Sequence, residues 1–211
     1  MLEPDVTLTD FAVAVESLAF CILLTRRRAG NRKIHWLFAA LFAAFGASSL
    51  FGGIWHGVFS GADSAVGRWV WFATMGALAI AAAILWHVSA ALLPSGPWPG
   101  LIRRLAWAQL AVQLFISAVV TDDFLVGMIG MLPAIVLLFA VYLARWRKSP
   151  RPRALAGLAG IALAALSGLV IVFDVSLHPR LATANAVYHL LQFVAFWLVF
   201  LSVPAAASQP R

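Results

Sequence analysis

The sequence predicts an all-α fold: an integral membrane bundle of seven transmembrane helices, with the N-terminus outside and the C-terminus cytoplasmic. Three observations carry this. First, 63% of the 211 residues are hydrophobic and only 11% are charged, more apolar surface than a soluble domain of this size can bury. Second, the apolar residues fall into seven segments, each with the roughly 20 residues that a bilayer core of about 30 Å demands. Third, 13 of the 15 Lys and Arg residues lie in the loops of one side, which the positive-inside rule assigns to the cytoplasm.

The segments run at about 8–25, 34–58, 66–90, 101–121, 124–144, 153–175 and 183–203, and make one domain over residues 1–211. Lipid offers the backbone no hydrogen bonds, so each is expected to be helical. The first follows an acidic start, Met1-Leu-Glu-Pro-Asp. That start lacks the basic region of a secretory signal, so the segment is expected to remain as a span. It contains the single cysteine, Cys21, which excludes an internal disulfide and a Cys-rich metal site. The second carries Ser49, Gly52 or Gly53, His56 and Ser60 at helical spacing. The third leads into a rigid turn, Pro94-Ser-Gly-Pro-Trp-Pro-Gly100. The fourth carries Gln109, Gln113, Ser117 and Thr121, each four apart, and ends at Asp122 and Asp123. The fifth has no polar stripe and reads as a peripheral, lipid-facing helix, with Pro133 as a source of a kink. The sixth is rich in small residues from Ala154 to Gly168, which suits close helix packing. Its Ser167 and Asp174, seven apart, share one face. On the seventh, Asn185, His189 and Gln192 recur at steps of four and three and so share one face.

Charge placement sets the orientation and excludes nucleic acid. Arg26, Arg27, Arg28, Arg32, Lys33, Arg103, Arg104, Arg145, Arg147, Lys148, Arg151, Arg153 and Arg211 fall on one side, and only Arg68 and Arg180 on the other. The net charge of +7 then reflects topology and contact with anionic lipids. The acids Glu3, Asp5, Asp10, Asp63, Asp122, Asp123 and Asp174 gather at the opposite, outer side, and Glu16 lies inside the first span. An ionised carboxylate in mid-membrane costs about 2.5–3.5 kcal/mol, so a functional role is the default for Glu16.

The polar stripes share outer ends, which predicts a cavity opening outward. His56 and His189 are its sharpest pair, because zinc favours imidazole nitrogens. Asp174, His178, Asp10 or Glu16 could complete three ligands, with Asn185 as a weak further donor. A metal-bound water, its pKa lowered towards about 7, would be a hydrolytic nucleophile. Glu16, Asp10 and Asn185 are the candidate catalytic and orienting groups. The bland alternative is interhelical hydrogen bonding, with no metal. Retinal is excluded, since Lys33 and Lys148 are the only lysines and neither is in the seventh span. Haem is disfavoured. His35 and His56 are 21 residues apart, roughly 31 Å along a helix, which would push an inner histidine pair into the headgroups.

The stretches Gly52-Gly-Ile-Trp-His56 and Asn185-Ala-Val-Tyr-His189 resemble the second and seventh spans of the CREST superfamily. That group comprises the alkaline ceramidases and the progestin-adipoQ receptors. Glu3-Pro4, Asp10 and Glu16 resemble the acidic start of the ceramidases' first span. The resemblance implies a seven-helix zinc-dependent lipid amidase in which His56 and His189 are two of three metal histidines. Asn185 stands where the family has another histidine, Gly52 where it has serine, and Arg68-Trp69 where the third span opens with aspartate. Two functions remain open: a metal-dependent hydrolase of a lipid amide or ester, and a non-catalytic lipid or small-ligand binder or sensor using the same cavity. The expected setting is a bacterial inner membrane, with membrane lipids as partners.

Overall fold

A computed structural model of the chain describes residues 2–27 and 30–207. Its helices are α1 (Pro4–Arg26), α2 (Arg32–Ile54), α3 (Ala65–Leu92), α4 (Trp98–Phe115), α5 (Phe124–Lys148), α6 (Pro152–Val172) and α7 (Ala184–Ala207). π-Helical turns prolong α2 over Trp55–Phe59 and α4 over Ile116–Val120. Among the described residues there is no strand, only an isolated bridge between His178 and Ala182. Helix starts follow local chemistry. Asn31 Oδ1 accepts from the Lys33 and Ile34 amides, and Asp123 Oδ1 from the Leu125 amide, each satisfying amides that lack an intrahelical partner. Proline opens α1, α4 and α6, where its missing N–H costs nothing.

Six helices, all but α4, are long and apolar enough to cross a membrane. In α4 the same length is interrupted by Arg103, Arg104, Gln109 and Gln113. The outer surface of the bundle is apolar, with Val15, Trp69, Val119 and Val136 each more than 60% exposed, as expected of an integral membrane protein.

Helix order around the bundle is α1, α2, α3, α5, α6, α7 and back to α1, with α4 outside the ring against α3. The sequence expectation for α4 and α5 is thus reversed. α5 lies in the ring and buries Met131, Ala134 and Leu138. The glutamine stripe of α4 is used for attachment. Gln109 Nε2 donates to Gly130 O at 2.8 Å, Gln113 Nε2 donates to Gly127 O at 3.2 Å, and the Trp86 indole donates to Gln109 Oε1. Polar side chains on α4 and bare glycine backbone on α5 satisfy one another, so the stripe never reaches the centre.

The ring is closed by aromatic stacking and by small residues. Phe20 of α1 stacks on Phe200 of α7 at 4.2 Å and meets Phe42 of α2 edge-on at 5.2 Å. α6 and α7 come close at Gly160, where an added Cβ would lie 2.7 Å from Ala195 O and 2.9 Å from Leu198 Cβ. At the basic end, Arg145 donates to Leu92 O at 2.6 Å and to Ala206 O at 3.4 Å. This gathers the ends of α3, α5 and α7 beside the loop between α1 and α2, where Asn31 N donates to Ala207 O. Of the basic residues assigned to this side, Arg28 and Arg211 lie outside the described residues.

Candidate functional site

A cavity of about 160 Å³ occupies the centre of the ring, lined by α1, α2, α3, α5, α6 and α7. Its lining on α2 runs from His56 to Leu41, about 22 Å at 1.5 Å per residue. One end is polar, with Asp10, Ser49, His56, Asn185, His189 and Gln192. The other is apolar, with Phe42, Leu85, Leu138, Ile161 and Phe196.

The polar end is built on helix termini that converge at the acidic side. The close approach of α1 to α2 depends on Gly52 and Gly53. A Cβ at Gly52 would come 3.1 Å from Asp10 Oδ2, and one at Gly53 2.9 Å from Phe11 Cε1. Asp10, 3% exposed, presents Oδ1 to His189 Nε2 of α7 at 3.3 Å. His189 Nδ1 lies 3.2 Å from Thr9 Oγ1. The Thr9 hydroxyl proton is committed to the backbone carbonyls of Asp5 and Val6, at 2.9 and 3.0 Å. The hydroxyl therefore accepts, and Nδ1 is the donor. A neutral imidazole protonated on Nδ1 has a bare Nε2, so the proton between Asp10 and His189 sits on the carboxyl. If both ring nitrogens carry protons, the pair is imidazolium and carboxylate. In either case the two groups share one proton and no net charge, the form that burial favours. Asp10 Oδ2 is left without a hydrogen-bond partner among the described residues.

His56 is held from the chain start. Its Nδ1 pairs with Glu3 Oε2 at 2.6 Å, and Ser60 Oγ donates to Glu3 Oε1. The Glu3 and Leu2 amides donate to His56 O and Gly57 O, both at 3.3 Å. Asp5 accepts from the Thr183 amide and hydroxyl at 3.0 and 2.6 Å. Residues 2–5 thus form a strap from the end of α2 to the start of α7. Glu3→Ala removes the two Glu3 side-chain bonds of the strap, each worth about 1.5–3 kcal/mol when one partner is charged, and leaves those of Asp5. The expected result is faster amide hydrogen exchange at residues 2–8, with no change across the α3 core.

The structure brings together four of the candidates, Asp10, His56, Asn185 and His189, and separates the other three. Glu16 does not line the cavity. It is 7% exposed and both its carboxylate oxygens are buried without a hydrogen-bond partner. Its spacing of seven from Thr9 and four from Phe20 puts it on the face of α1 turned to α7. Asp174 and His178 are exposed in the connection from α6 to α7. There Asp174 has φ of +48°, and His178 Nδ1 accepts from the Arg180 and Leu181 amides, both at 3.2 Å. His178 is fastened into its own turn, remote from the cavity lining. Glu3, missed as a site residue, gave no periodic signal because it precedes the first helix. Gln192 donates to Ser167 Oγ at 2.8 Å, but Ser167 does not line the cavity and Asp174, expected on the same stripe, is exposed.

For a metal the geometry is partial. Two donors on a tetrahedral zinc, each at roughly 2.0–2.1 Å, stand roughly 3.3–3.4 Å apart. The 3.3 Å between His189 Nε2 and Asp10 Oδ1 matches that, and is long for a charge-assisted hydrogen bond. The Nδ1–carboxylate pairing of His56 with Glu3 is the support that metal-binding histidines use. No three His, Cys, Asp or Glu residues converge on one point among the described residues.

Comparison with known families gives one match. A profile described as "Family of unknown function (DUF6962)" covers residues 6–208, almost the whole chain. The chain belongs to DUF6962. No curated protein and no solved structure matches it. The matched range spans every DUF6962 helix from α1 to α7, including Asp10, His56 and His189, and leaves Glu3 outside it.

Proposed function

We propose that the chain crosses the membrane seven times, N-terminus outside, and that its central cavity binds a single-chain amphiphile. The head would lie at Asp10, His56 and His189 and the tail between Phe42 and Leu138. The observation that carries this reading is the polarity of the cavity, polar at one end and wholly apolar over the rest of its length. Such a site matches a lipid tail and excludes a polar metabolite, whose buried groups would lack partners. The sidedness rests on the basic residues at the far end of the bundle and the acidic residues at the near end. A bacterial inner membrane is the setting that fits this asymmetry.

The test is saturable binding of a fluorescent single-chain acyl amide to the protein in phosphatidylcholine nanodiscs. Phe42→Trp should fill the tail end and weaken binding. Binding that neither saturates nor responds to Phe42→Trp would refute the reading.

A second reading is a metal-dependent hydrolase of a lipid amide or ester, following the CREST resemblance. It is favoured by the His189–Asp10 separation and by the Glu3 support of His56. His189 Nε2 and Asp10 Oδ1 suit zinc, while His56 stands outside a closed set of three. Bound zinc would supply an activated water; the residues' own part is to hold the amphiphile head beside the Asp10–His189 pair. Elemental analysis decides it. About one zinc per chain is expected for an active site, lost in the double variant His56→Ala, His189→Ala. Equal, near-zero zinc in both would leave the binding protein.

A further inference from the structure

We propose that the seam between α3 and α5 is a lateral portal, through which the amphiphile passes from the bilayer into the central cavity. This rests on the binding function proposed above and names its route.

Outside the ring, α3, α4 and α5 enclose a second hollow of about 220 Å³. Its lining includes Val112 and Ile116 of α4, Gly127 and Gly130 of α5, and Met75 and Leu78 of α3. Leu78 lines the central cavity as well, so a single layer of side chains divides the two spaces. Chemically that layer is unusual for this chain. Of the three methionines after Met1, Met75 and Met131 sit at this seam, while Met128 Sδ lies against Gly168 of α6. Met75 faces the outer hollow, while Met128 and Met131 face the cavity. Unbranched thioether side chains change rotamer easily and reshape to what they contact. Against them α5 presents no side chain at Gly127, where a Cβ would collide with Met75 Cε. A rotation of Met75 therefore needs no movement of either backbone.

Both ends of the cavity are obstructed. Residues 2–5 bridge the polar mouth. Beside it, Trp71 Nε1 donates to Asp122 O at 2.7 Å and Trp71 stands 4.6 Å from Trp55, ring to ring. The opposite end is filled by the stacked Phe20, Phe42 and Phe200. A water-insoluble tail has little reason to leave the bilayer for the aqueous mouth when the α4 hollow adjoins the lipid.

The experiment follows loading of the full-length protein in phosphatidylcholine nanodiscs by stopped flow, with the fluorescent acyl amide as probe. Met75→Ile, at a residue that lines the outer hollow and not the central cavity, replaces a flexible side chain with one stiff at χ1. Val112→Trp fills the hollow from a half-exposed α4 position that bears no part of the ring's packing. Val136→Trp, on the exposed face of α5 and outside both spaces, is the control. The expected result is that association and dissociation both slow by about tenfold in the stiffened and filled variants, as for a raised barrier, with Kd and the control unchanged. Met75→Leu, flexible and of similar volume, should restore most of the rate. Should Met75→Ile not fold, Val112→Trp alone decides. Loading at the control's rate would overturn the portal while leaving the binding function intact. No saturable binding by the wild-type protein would overturn both.

Discussion

Asp10→Ala should abolish amphiphile binding and destabilise the bundle, whereas Asp10→Asn should preserve the fold. Alanine leaves His189 Nε2 buried without a partner, and a buried polar group stripped of its hydrogen bond costs about 1–3 kcal/mol. Affinity should fall by at least about tenfold, because the head of the ligand loses Asp10 Oδ2, the cavity carboxyl oxygen without a hydrogen-bond partner among the described residues. Asparagine separates the two proton arrangements. If Nδ1 donates to Thr9 and Nε2 is bare, the amide introduced by Asp10→Asn donates to Nε2 and thermal stability stays near wild type. If the pair is imidazolium and carboxylate, that amide faces a cation with a poorer acceptor and the loss approaches that of alanine. Thermal unfolding of the two variants, with titration by the acyl amide, reads both quantities.

Gly160→Ala is expected to destabilise the packing of α6 on α7. In an exposed soluble helix, Gly→Ala gains about 1 kcal/mol of helix propensity. Here the added carbon would meet Ala195 O at 2.7 Å and Val199 N at 2.9 Å, backbone atoms of a packed helix that cannot rotate away. Overpacking of that kind costs about 1–3 kcal/mol and outweighs the propensity gain. Gly76→Ala is the matched comparison, since its Cβ would find only Leu114 Cδ2, at 3.7 Å. The Gly160 variant should melt lower than wild type and the Gly76 variant should not. Equal melting temperatures would show that α6 and α7 can separate without loss.

The fold class was legible because hydropathy and helical spacing are local properties. Asn185, His189 and Gln192 share a face because of their spacing, and all three line the cavity. Which helix borders which was not legible. Apolar α5 lacked a polar stripe and looked peripheral, yet most of the cavity is itself apolar and needs such a helix. The stripe on α4 looked like part of the site, but its glutamines bond to the carbonyls of Gly127 and Gly130. A polar stripe marks a buried face and does not say what buries it. Asp174 and His178 share the outer side with His56 and His189, but the turn at residues 173–183 leaves both exposed and out of the cavity lining. Glu3 reaches His56 across 53 residues, and spacing along a chain carries no trace of such a contact.

Glu16 has a consequence for how the protein is made. Its buried face, shared with Thr9 and Phe20, belongs against α7, which is made after α1–α6. Until then α1 must wait in the translocon or the lipid with Asp10 and Glu16 uncovered, each a penalty on insertion. A chain truncated before Ala184 would therefore present two unshielded acids to the membrane and be a natural target of quality-control proteases.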